Sequence, residues 1–192
     1  MKYSVCAVTG SRAEYGILRP LLLKLNWERQ LEFQLVVTGS HLSDEFGRTE
    51  TEILADGLQI SASIPIPTKI GTKLDMLQAT SVAISKFGTY FSQHRPDLLV
   101  ILGDRYEIFA VALAAAVHGI PIAHLHGGEC TEGAIDEFLR HSITKMSTLH
   151  FTACEQYRRR VIQLGESPDR VFAYGALSNE NALKAPYMSL HV

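Results

Sequence analysis

Short apolar runs alternate with longer segments of helical periodicity along most of the chain. The short runs predict strands near 3–8, 33–37, 98–102, 120–125, 149–152 and 170–174. The longer segments predict helices near 17–25, 74–91, 108–117, from 134 onward and over 155–164. Strands that alternate with helices form βαβ units around a parallel sheet. The pattern therefore predicts an α/β fold with a doubly wound, Rossmann-like parallel sheet.

Three segments stand out within this pattern. The run 98–102 is apolar at every position, which is typical of a central strand covered by helices on both faces. Segment 56–72 has no clear period and contains two prolines and two glycines, which predicts a mobile loop. Residues 1–177 are expected to form one domain, and 178–192 a linker or tail leading to a further, C-terminal domain.

Composition and charge exclude several classes of protein. The chain has 192 residues, 46% hydrophobic and 20% charged, as expected for one globular domain. Its 18 basic and 20 acidic residues give no basic footprint for nucleic acid. No apolar run reaches the roughly 18 residues of a membrane span, and the N-terminus shows no signal-peptide cleavage pattern. We therefore expect a cytoplasmic protein that binds neither nucleic acid nor membranes.

Cysteines and one basic run carry no predicted chemistry. Cys6, Cys130 and Cys154 cannot all pair and have no CxxC spacing, so free thiols in a reducing compartment are expected. Neither Cys130 nor Cys154 has a base beside it in the sequence, and no catalytic role is assigned to them. The arginines at 158–160 are interpreted as a solvated helix face.

Polar clusters follow four of the predicted strands. Because the carboxyl ends of parallel strands meet at one edge of a sheet, we expect all four clusters to converge on one rim. They are Gly10-Ser11-Arg12-Ala13-Glu14-Tyr15-Gly16, Thr38-Gly39-Ser40-His41, Gly103-Asp104-Arg105-Tyr106-Glu107 and His124-Leu125-His126-Gly127-Gly128-Glu129.

Two of these clusters have a functional and a structural interpretation. The first is neither a GxGxxG fingerprint nor a P-loop, yet it offers a helix N-terminus and Arg12 to an anion; the alternative is a solvated turn with Arg12 paired to Glu14. Asp104 follows a buried strand, where a carboxylate can be tuned for proton transfer. Its alternative role, the commoner one, is to cap the following helix. Arg105 and Glu107 are interpreted as surface charges.

His124 and His126 alternate in a strand and are expected on one face, with Glu129 a tight turn away. A metal site is the weaker interpretation, because a third ligand with suitable spacing is not evident. Hydrogen-bonded imidazoles that shuttle protons are favoured, and a satisfied interior histidine is the alternative.

The helix from 134 carries polar residues on both shoulders of its apolar face. Asp136 and Arg140 are i and i+4 on one shoulder, and His141 lies with Lys145 on the other. If the strand ends form a cleft, Asp136 and Arg140 are an acid/base and anion-binding pair, with His141 as a supporting or opposing group. A surface ion pair is the alternative for Asp136 and Arg140.

Four ordered motifs resemble the hydrolysing UDP-N-acetylglucosamine 2-epimerases, the family whose members act in sialic and legionaminic acid biosynthesis. The motifs are VTGSRAEYG at 8–16, LGDRYE at 102–107, HLHGGE at 124–129 and GAIDEFLRHSITKM at 133–146. The resemblance implies two Rossmann-like domains in a glycosyltransferase-B arrangement, with the active site between them. It also implies a reaction without metal or cofactor on a UDP-sugar: C2 deprotonation, loss of UDP and hydration of the glycal to N-acetylmannosamine.

The resemblance also implies roles for individual residues. Arg12 matches the arginine near the diphosphate, with Gly10 and Ser11 beside it; Asp104 and Asp136 match two acidic residues of the site, and Arg140 the arginine one turn later. His126 stands where part of the wider family has a glutamate, so the neighbouring Glu129 is a candidate for that task.

The sequence resembles only the N-terminal domain of this family, which leads to further expectations. The chain alone is expected to be weakly active or inactive, and the alternatives are a non-catalytic truncated domain, an epimerase of a UDP-diacetamido sugar, or a generic flavodoxin-like nucleotide-binding module. A homo-oligomer is expected, with 74–91 and 108–117 as candidate association surfaces because a missing domain leaves apolar area exposed.

Overall fold

Seven parallel strands form one sheet in a computed structural model of the chain, which describes residues 2–179. The strands are β1 (Tyr3–Thr9), β2 (Leu31–Thr38), β3 (Ala62–Ile64), β4 (Leu98–Leu102), β5 (Ile122–Leu125), β6 (Leu149–Thr152) and β7 (Val171–Ala173). The helices are α1 (Arg12–Trp27), α2 (Glu50–Ala55), α3 (Lys73–Gln93), α4 (Tyr106–Val117), α5 (Ile135–Met146) and α6 (Glu155–Gln163). The predicted doubly wound α/β fold is confirmed.

The strand order explains where a ligand can bind. The order is β3-β2-β1-β4-β5-β6-β7, so the chain leaves β1 toward one edge and leaves β4 toward the other. In open α/β sheets this reversal opens a crevice outside the carboxyl ends of the strands. The loops after β1 and β4 therefore lie at the crevice.

The core has one large apolar cluster on each face of the sheet. On one face, Cys6 and Val8 of β1 and Leu99 and Ile101 of β4 pack with α3, α4 and α5. On the other, alternate residues of the same strands pack mainly with α1. Because β4 is buried on both faces, every position of the strand is apolar, as its sequence predicted.

Segment 56–72 was predicted to be an irregular mobile loop, but part of it forms a strand of the sheet. Residues Ala62–Ile64 form the edge strand β3, with Ala62 opposite Val36 of β2. Three residues are too few to show a period of two, so the pattern of apolar positions did not reveal this strand.

Helix α4 was a predicted association surface, and for most of its length the structure contradicts this. Eight of its twelve residues are buried, because it packs between the sheet, α3 and α5. Helix α3 does expose Leu74 and Leu77. The expected homo-oligomer stays a prediction.

Three further expectations concern parts of the chain away from the site. Cys6, Cys130 and Cys154 are free thiols, as predicted. None of the helices within residues 2–179 combines the length and apolarity that crossing a bilayer requires. The linker predicted over 178–192 lies outside the described residues from 180 onward.

Candidate active site

A cavity of about 450 Å³ opens at the crevice predicted from the strand order. Residues from the loops after β1, β2 and β4 meet there with residues from α3, α5 and the loop before α3. The lining residues are Ser11, Ser40, Phe46, Thr68, Ile70, Met76, Arg105, Tyr106 and Asp136.

Asp104 and Arg140 form an ion pair beside this cavity. Arg140 is 4% exposed and comes from the inner face of α5. Its Nη2 donates to Asp104 Oδ2 and to Thr131 Oγ1 (2.9 Å), and its Nη1 donates to the Glu129 carbonyl (2.8 Å) and to Glu137 Oε2 (3.2 Å). With both terminal nitrogens engaged, Arg140 fixes Asp104 and the loop before α5 in one geometry.

Asp104 does not cap α4, the role that its position favoured from sequence alone. The residue at the helix N-cap is Arg105, which makes no side-chain capping bond. Because Asp104 lies one residue earlier, its carboxylate turns instead to the buried guanidinium of Arg140. The commoner use of aspartate is overridden here by a contact 36 residues away.

The carboxyl groups near Arg140 differ in acidity. Burial raises the pKa of Asp104 above its ordinary value, and the charges of Asp136 and Glu129 act in the same direction, while Arg140 partly offsets them. A hydrogen bond from His126 instead lowers the pKa of Glu129. Neighbouring carboxyl groups with opposite shifts can divide the roles of proton acceptor and fixed charge.

The two histidines of the third cluster do not share a face, contrary to expectation. His124 is fully buried between α5 and β4, where it contacts the Gly103 carbonyl (Nε2–O 2.8 Å) and the Thr144 hydroxyl. His126 lies past the end of β5 with φ +62°, which breaks the strand alternation. Its Nδ1 is 3.0 Å from Glu129 Oε1. His124 is therefore the satisfied interior histidine, whereas His126 contacts Glu129 through Nδ1 and accepts from the Leu177 amide through Nε2 (3.4 Å).

Glu137 organises the loop before α5, and the sequence analysis missed it. Its Oε2 accepts from the Thr131 amide (2.8 Å) and from Arg140, and its Oε1 lies 3.0 Å from His141 Nε2. The i,i+3 and i,i+4 spacings to Arg140 and His141 were visible in the sequence and could have identified it. His141 is thus held by Glu137.

Asp136 does not pair with Arg140, although their i,i+4 spacing suggested such a pair. Arg140 turns inward to Asp104 and Glu137, while Asp136 lines the cavity. The structure thus brings Asp104, Glu129, Asp136 and Arg140 together. Arg140 contacts the Asp104 carboxylate and the Glu129 carbonyl, and the charges of Glu129 and Asp136 act on Asp104.

Arg12 lies apart from that group. Its Nε donates to Glu52 Oε2 (3.1 Å) on α2, and its side chain is 72% exposed in a shallow surface depression beside Arg19 and Asp56. The alternative pairing with Glu14 is wrong, because Glu14 is buried and bonds the Gly10 amide. Only the neighbouring Ser11 of this motif lines the cavity.

Gly10 and Ser11 build the turn between β1 and α1. Ser11 caps the helix by accepting from the Glu14 amide (3.4 Å). Gly10 is buried, and a Cβ at this position would lie 2.8 Å from Glu107 Cγ. Its carbonyl accepts from the Ser40 amide (2.9 Å), which joins the loops after β1 and β2.

Arg105 and Glu107 are not the two surface charges that were expected. The Glu107 side chain is 1% exposed and accepts from Arg105 Nε at 2.5 Å, whereas Arg105 remains half exposed at the cavity. The interpretation failed because sequence spacing does not show that the first turn of α4 lies under the loop after β1.

The basic run at 158–160 is only partly a solvated face. Arg159 is 74% exposed, whereas Arg160 donates to the Gly128 carbonyl and Arg158 Nε to the Val171 carbonyl (2.8 Å). These contacts tie α6 to β7 and to the loop that carries Glu129. Among residues 2–179, no three His, Cys, Asp or Glu side chains group as metal ligands.

The sheet order and the site at its switch point define a Rossmann-like α/β domain of the class found in nucleotide-sugar enzymes with the glycosyltransferase-B arrangement. The sequence model of the UDP-N-acetylglucosamine 2-epimerase family matches residues 23–190. The chain belongs to this family, as its motifs indicated.

Individual relatives agree with this assignment. The chain is 48% identical over 185 residues to the polysialic acid biosynthesis protein P7 of Escherichia coli, covering 96% of this chain and 46% of the relative. It is 44% identical over 178 residues to the GDP/UDP-N,N'-diacetylbacillosamine 2-epimerase (hydrolyzing) of Campylobacter jejuni, covering 93% and 46%. The chain therefore spans less than half the length of these relatives.

A solved structure of UDP-GlcNAc 2-epimerase from Neisseria meningitidis bound to UDP-GlcNAc has the same fold. It superposes with a TM-score of 0.80 at 21% identity, covering 91% of this chain and 47% of that one.

Proposed function

We propose that the chain supplies the catalytic carboxylates of a hydrolysing UDP-N-acetylglucosamine 2-epimerase, which converts its substrate to UDP and N-acetylmannosamine. The observation that carries this proposal is Asp104, a carboxylate of raised pKa fixed by Arg140 at the switch-point crevice. Family membership and the hydrolysing relative support the same reaction class.

The reaction needs a base for a weakly acidic carbon. In the first step a carboxylate takes the proton from C2, and the C1–O bond breaks with its electron pair leaving on UDP. In the second, water adds to the glycal: its oxygen bonds C1, and a proton returns to C2 from the opposite face. C2 is thereby inverted, and no electron is gained or lost overall.

Asp104 is our proposed base, because a raised pKa makes the ionised form a stronger proton acceptor. Asp136, which lines the cavity, is proposed to return a proton to the sugar. Glu129 stays ionised through its contact with His126, and this pair is proposed to stabilise the developing positive charge of the sugar. Arg140 and His141 position the others, because both are held by contacts within the protein.

A UDP-diacetamido sugar is the second candidate substrate. It is favoured by the name of the 44%-identical Campylobacter jejuni relative, a GDP/UDP-N,N'-diacetylbacillosamine 2-epimerase (hydrolyzing). The two UDP-sugars are therefore to be assayed side by side.

Turnover measured on two forms of the protein tests the proposal. The 192-residue chain alone is expected to release UDP negligibly, because it spans 46% of its relatives' length. Joined to the portion of the Escherichia coli relative that it does not span, it should release UDP from one of the two sugars. In that chimera Asp104→Asn should lower turnover roughly 100- to 10,000-fold, the usual contribution of a positioned base.

The same assay separates the alternatives. A chimera that folds but releases no UDP would favour the non-catalytic domain, and turnover by the chain alone near that of an intact relative would refute the predicted dependence on the remaining half. Flavin absorbance of the purified chain would instead favour a flavodoxin-like module.

A further inference from the structure

Three ionisable side chains at and beneath the cavity have no role in the reaction proposed above. Glu107 is fully buried in the first turn of α4, and its Oε1 accepts from Arg105 Nε at 2.5 Å. Glu14, 5% exposed in the first turn of α1, accepts from the Gly10 amide at 3.2 Å. One oxygen of each carboxyl group, Glu14 Oε1 and Glu107 Oε2, is buried without a hydrogen-bond partner among the described residues.

The two carboxyl groups share one confined space. Both lie against Gly10: its amide donates to Glu14, and a Cβ on it would lie 2.8 Å from Glu107 Cγ. The charged groups that act on Glu14 are Glu107 and Arg105 at the start of α4 and Asp104 after β4. Among the residues that the structure describes, Arg105 is the one cation that acts on both buried carboxyl groups.

The contacts of Glu107 and Glu14 decide which of the two carboxyl groups carries the negative charge. Glu107 has a guanidinium in direct contact, whereas Glu14 has only a backbone amide. Two buried carboxylates with one cation would leave a negative charge uncompensated, which is costly at low dielectric. Burial, followed by the charge of Glu107, raises the pKa of Glu14 well above its ordinary value.

We infer that Glu14 holds a proton, Glu107 holds the charge, and together they fix Arg105 as the cation that contacts the diphosphate of the nucleotide sugar. This inference rests on the proposed function for the identity of the ligand. Arg105 is half exposed and lines the cavity with Ser11 and Asp136. Glu107 and Glu14 are positioning residues, since they act through Arg105.

Infrared spectroscopy of the 192-residue chain tests the protonation state. At neutral pH the parent chain should show the C=O stretch of a protonated carboxyl group, and Glu14→Gln should remove it. Glu52→Gln, at an exposed carboxylate bonded to Arg12, is the matched control and should leave the band in place. If the band is absent from the parent or persists in Glu14→Gln, the assignment of the proton is wrong.

Arginine Nε resonances of the ¹⁵N-labelled chain test whether Arg105 is the cation that contacts the diphosphate. Titration with UDP should shift the Arg105 resonance and leave that of Arg159, which is 74% exposed on α6, unchanged. Arg105→Gln and Glu107→Gln should each weaken UDP binding about tenfold or more, the typical effect of a charge-assisted hydrogen bond. The double variant should be no weaker than Arg105→Gln alone, because Glu107 acts only through Arg105.

The outcomes separate this inference from the proposed function. UDP shifts at Ser11 and Ser40 without a shift at Arg105 would overturn the inference and leave the proposed function standing. No UDP-dependent shift at all would overturn the ligand assignment, whereas the infrared band would still decide the protonation state. If Glu107→Gln fails to fold, Arg105→Gln at the exposed side chain decides, and unaltered UDP affinity in that variant would refute the role of Arg105.

Discussion

At the residue scale, Asp104 and Glu129 show how surroundings divide two carboxyl groups that serve one site. Burial raises the pKa of Asp104, and His126 lowers that of Glu129. A base must be ionised to accept a proton, so the rate of C2 deprotonation should rise with pH through the raised pKa of Asp104. The acidic limb of the pH–rate profile of the chimera should therefore lie above the ordinary aspartate range. A limb at or below that range would contradict Asp104 as the base.

The buried histidine His124 predicts a second pH effect, on stability. Burial lowers its pKa to about 4, so between the unfolded value near 6.5 and 4 the folded chain binds fewer protons than the unfolded chain. The free energy of unfolding should therefore fall as pH drops through this window. His41, also lowered to about 4, contributes in the same direction.

Urea unfolding at about pH 7 and about pH 5 measures this effect. His124→Gln should reduce the loss of stability between the two pH values without removing it, because His41 remains. The control is His94→Gln on an exposed ring, and an equal reduction in both variants would contradict the assignment.

Residue identity predicted some of the site and not the rest. The polar residues after β1, β4 and β5 could be read from the sequence, because parallel strands bring their carboxyl ends to one edge. The partners of Asp104 and Arg12 could not, because each is supplied by an element distant in the chain. His126 left the predicted face because of its positive φ, which no pattern of apolar residues reveals.

At the scale of elements, α3 depends on its N-terminal cap. Thr72 Oγ1 accepts from the Asp75 amide (3.1 Å), and Asp75 accepts from the Thr72 amide (2.7 Å), which is a capping box. Thr72→Ala should lower the free energy of unfolding by about 1 kcal/mol. Thr89→Ala, on the exposed side of the same helix, should instead be neutral or slightly stabilising, since alanine favours a helix interior. Equal losses in both variants would show that the cap is not the cause.

The loop before α5 depends on one residue of that helix. Glu137 holds the Thr131 amide, Arg140 and His141, so Glu137→Gln should loosen residues 130–134. Amide hydrogen exchange should rise in this loop and remain unchanged in β1 and β4, which make no contact with Glu137. Unchanged exchange at Thr131 would contradict the role given to Glu137.

At the scale of the whole molecule, the alternation of strands and helices in the sequence predicted a doubly wound sheet. It did not predict the short edge strand β3. The site follows from that order, since the reversal between β1 and β4 opens the crevice that Asp136 lines, with Asp104 directly before the lining residue Arg105. On the opposite side of β4–β6, a cavity of about 500 Å³ exposes apolar side chains, among them Leu98, Leu149 and Phe151.

Deuterium at C2 of the released sugar is the most direct test that the Asp104 cluster abstracts a carbon-bound proton. The chimera described above is incubated with each UDP-sugar in deuterated water, and the product is analysed by mass spectrometry and NMR. We predict one solvent deuterium at C2 with inverted configuration, formed roughly 100- to 10,000-fold more slowly by Asp104→Asn and at the parent rate by the exposed control Asp44→Asn. Product without deuterium at C2, or formation of the deuterated product by Asp104→Asn at the parent rate, would contradict the account.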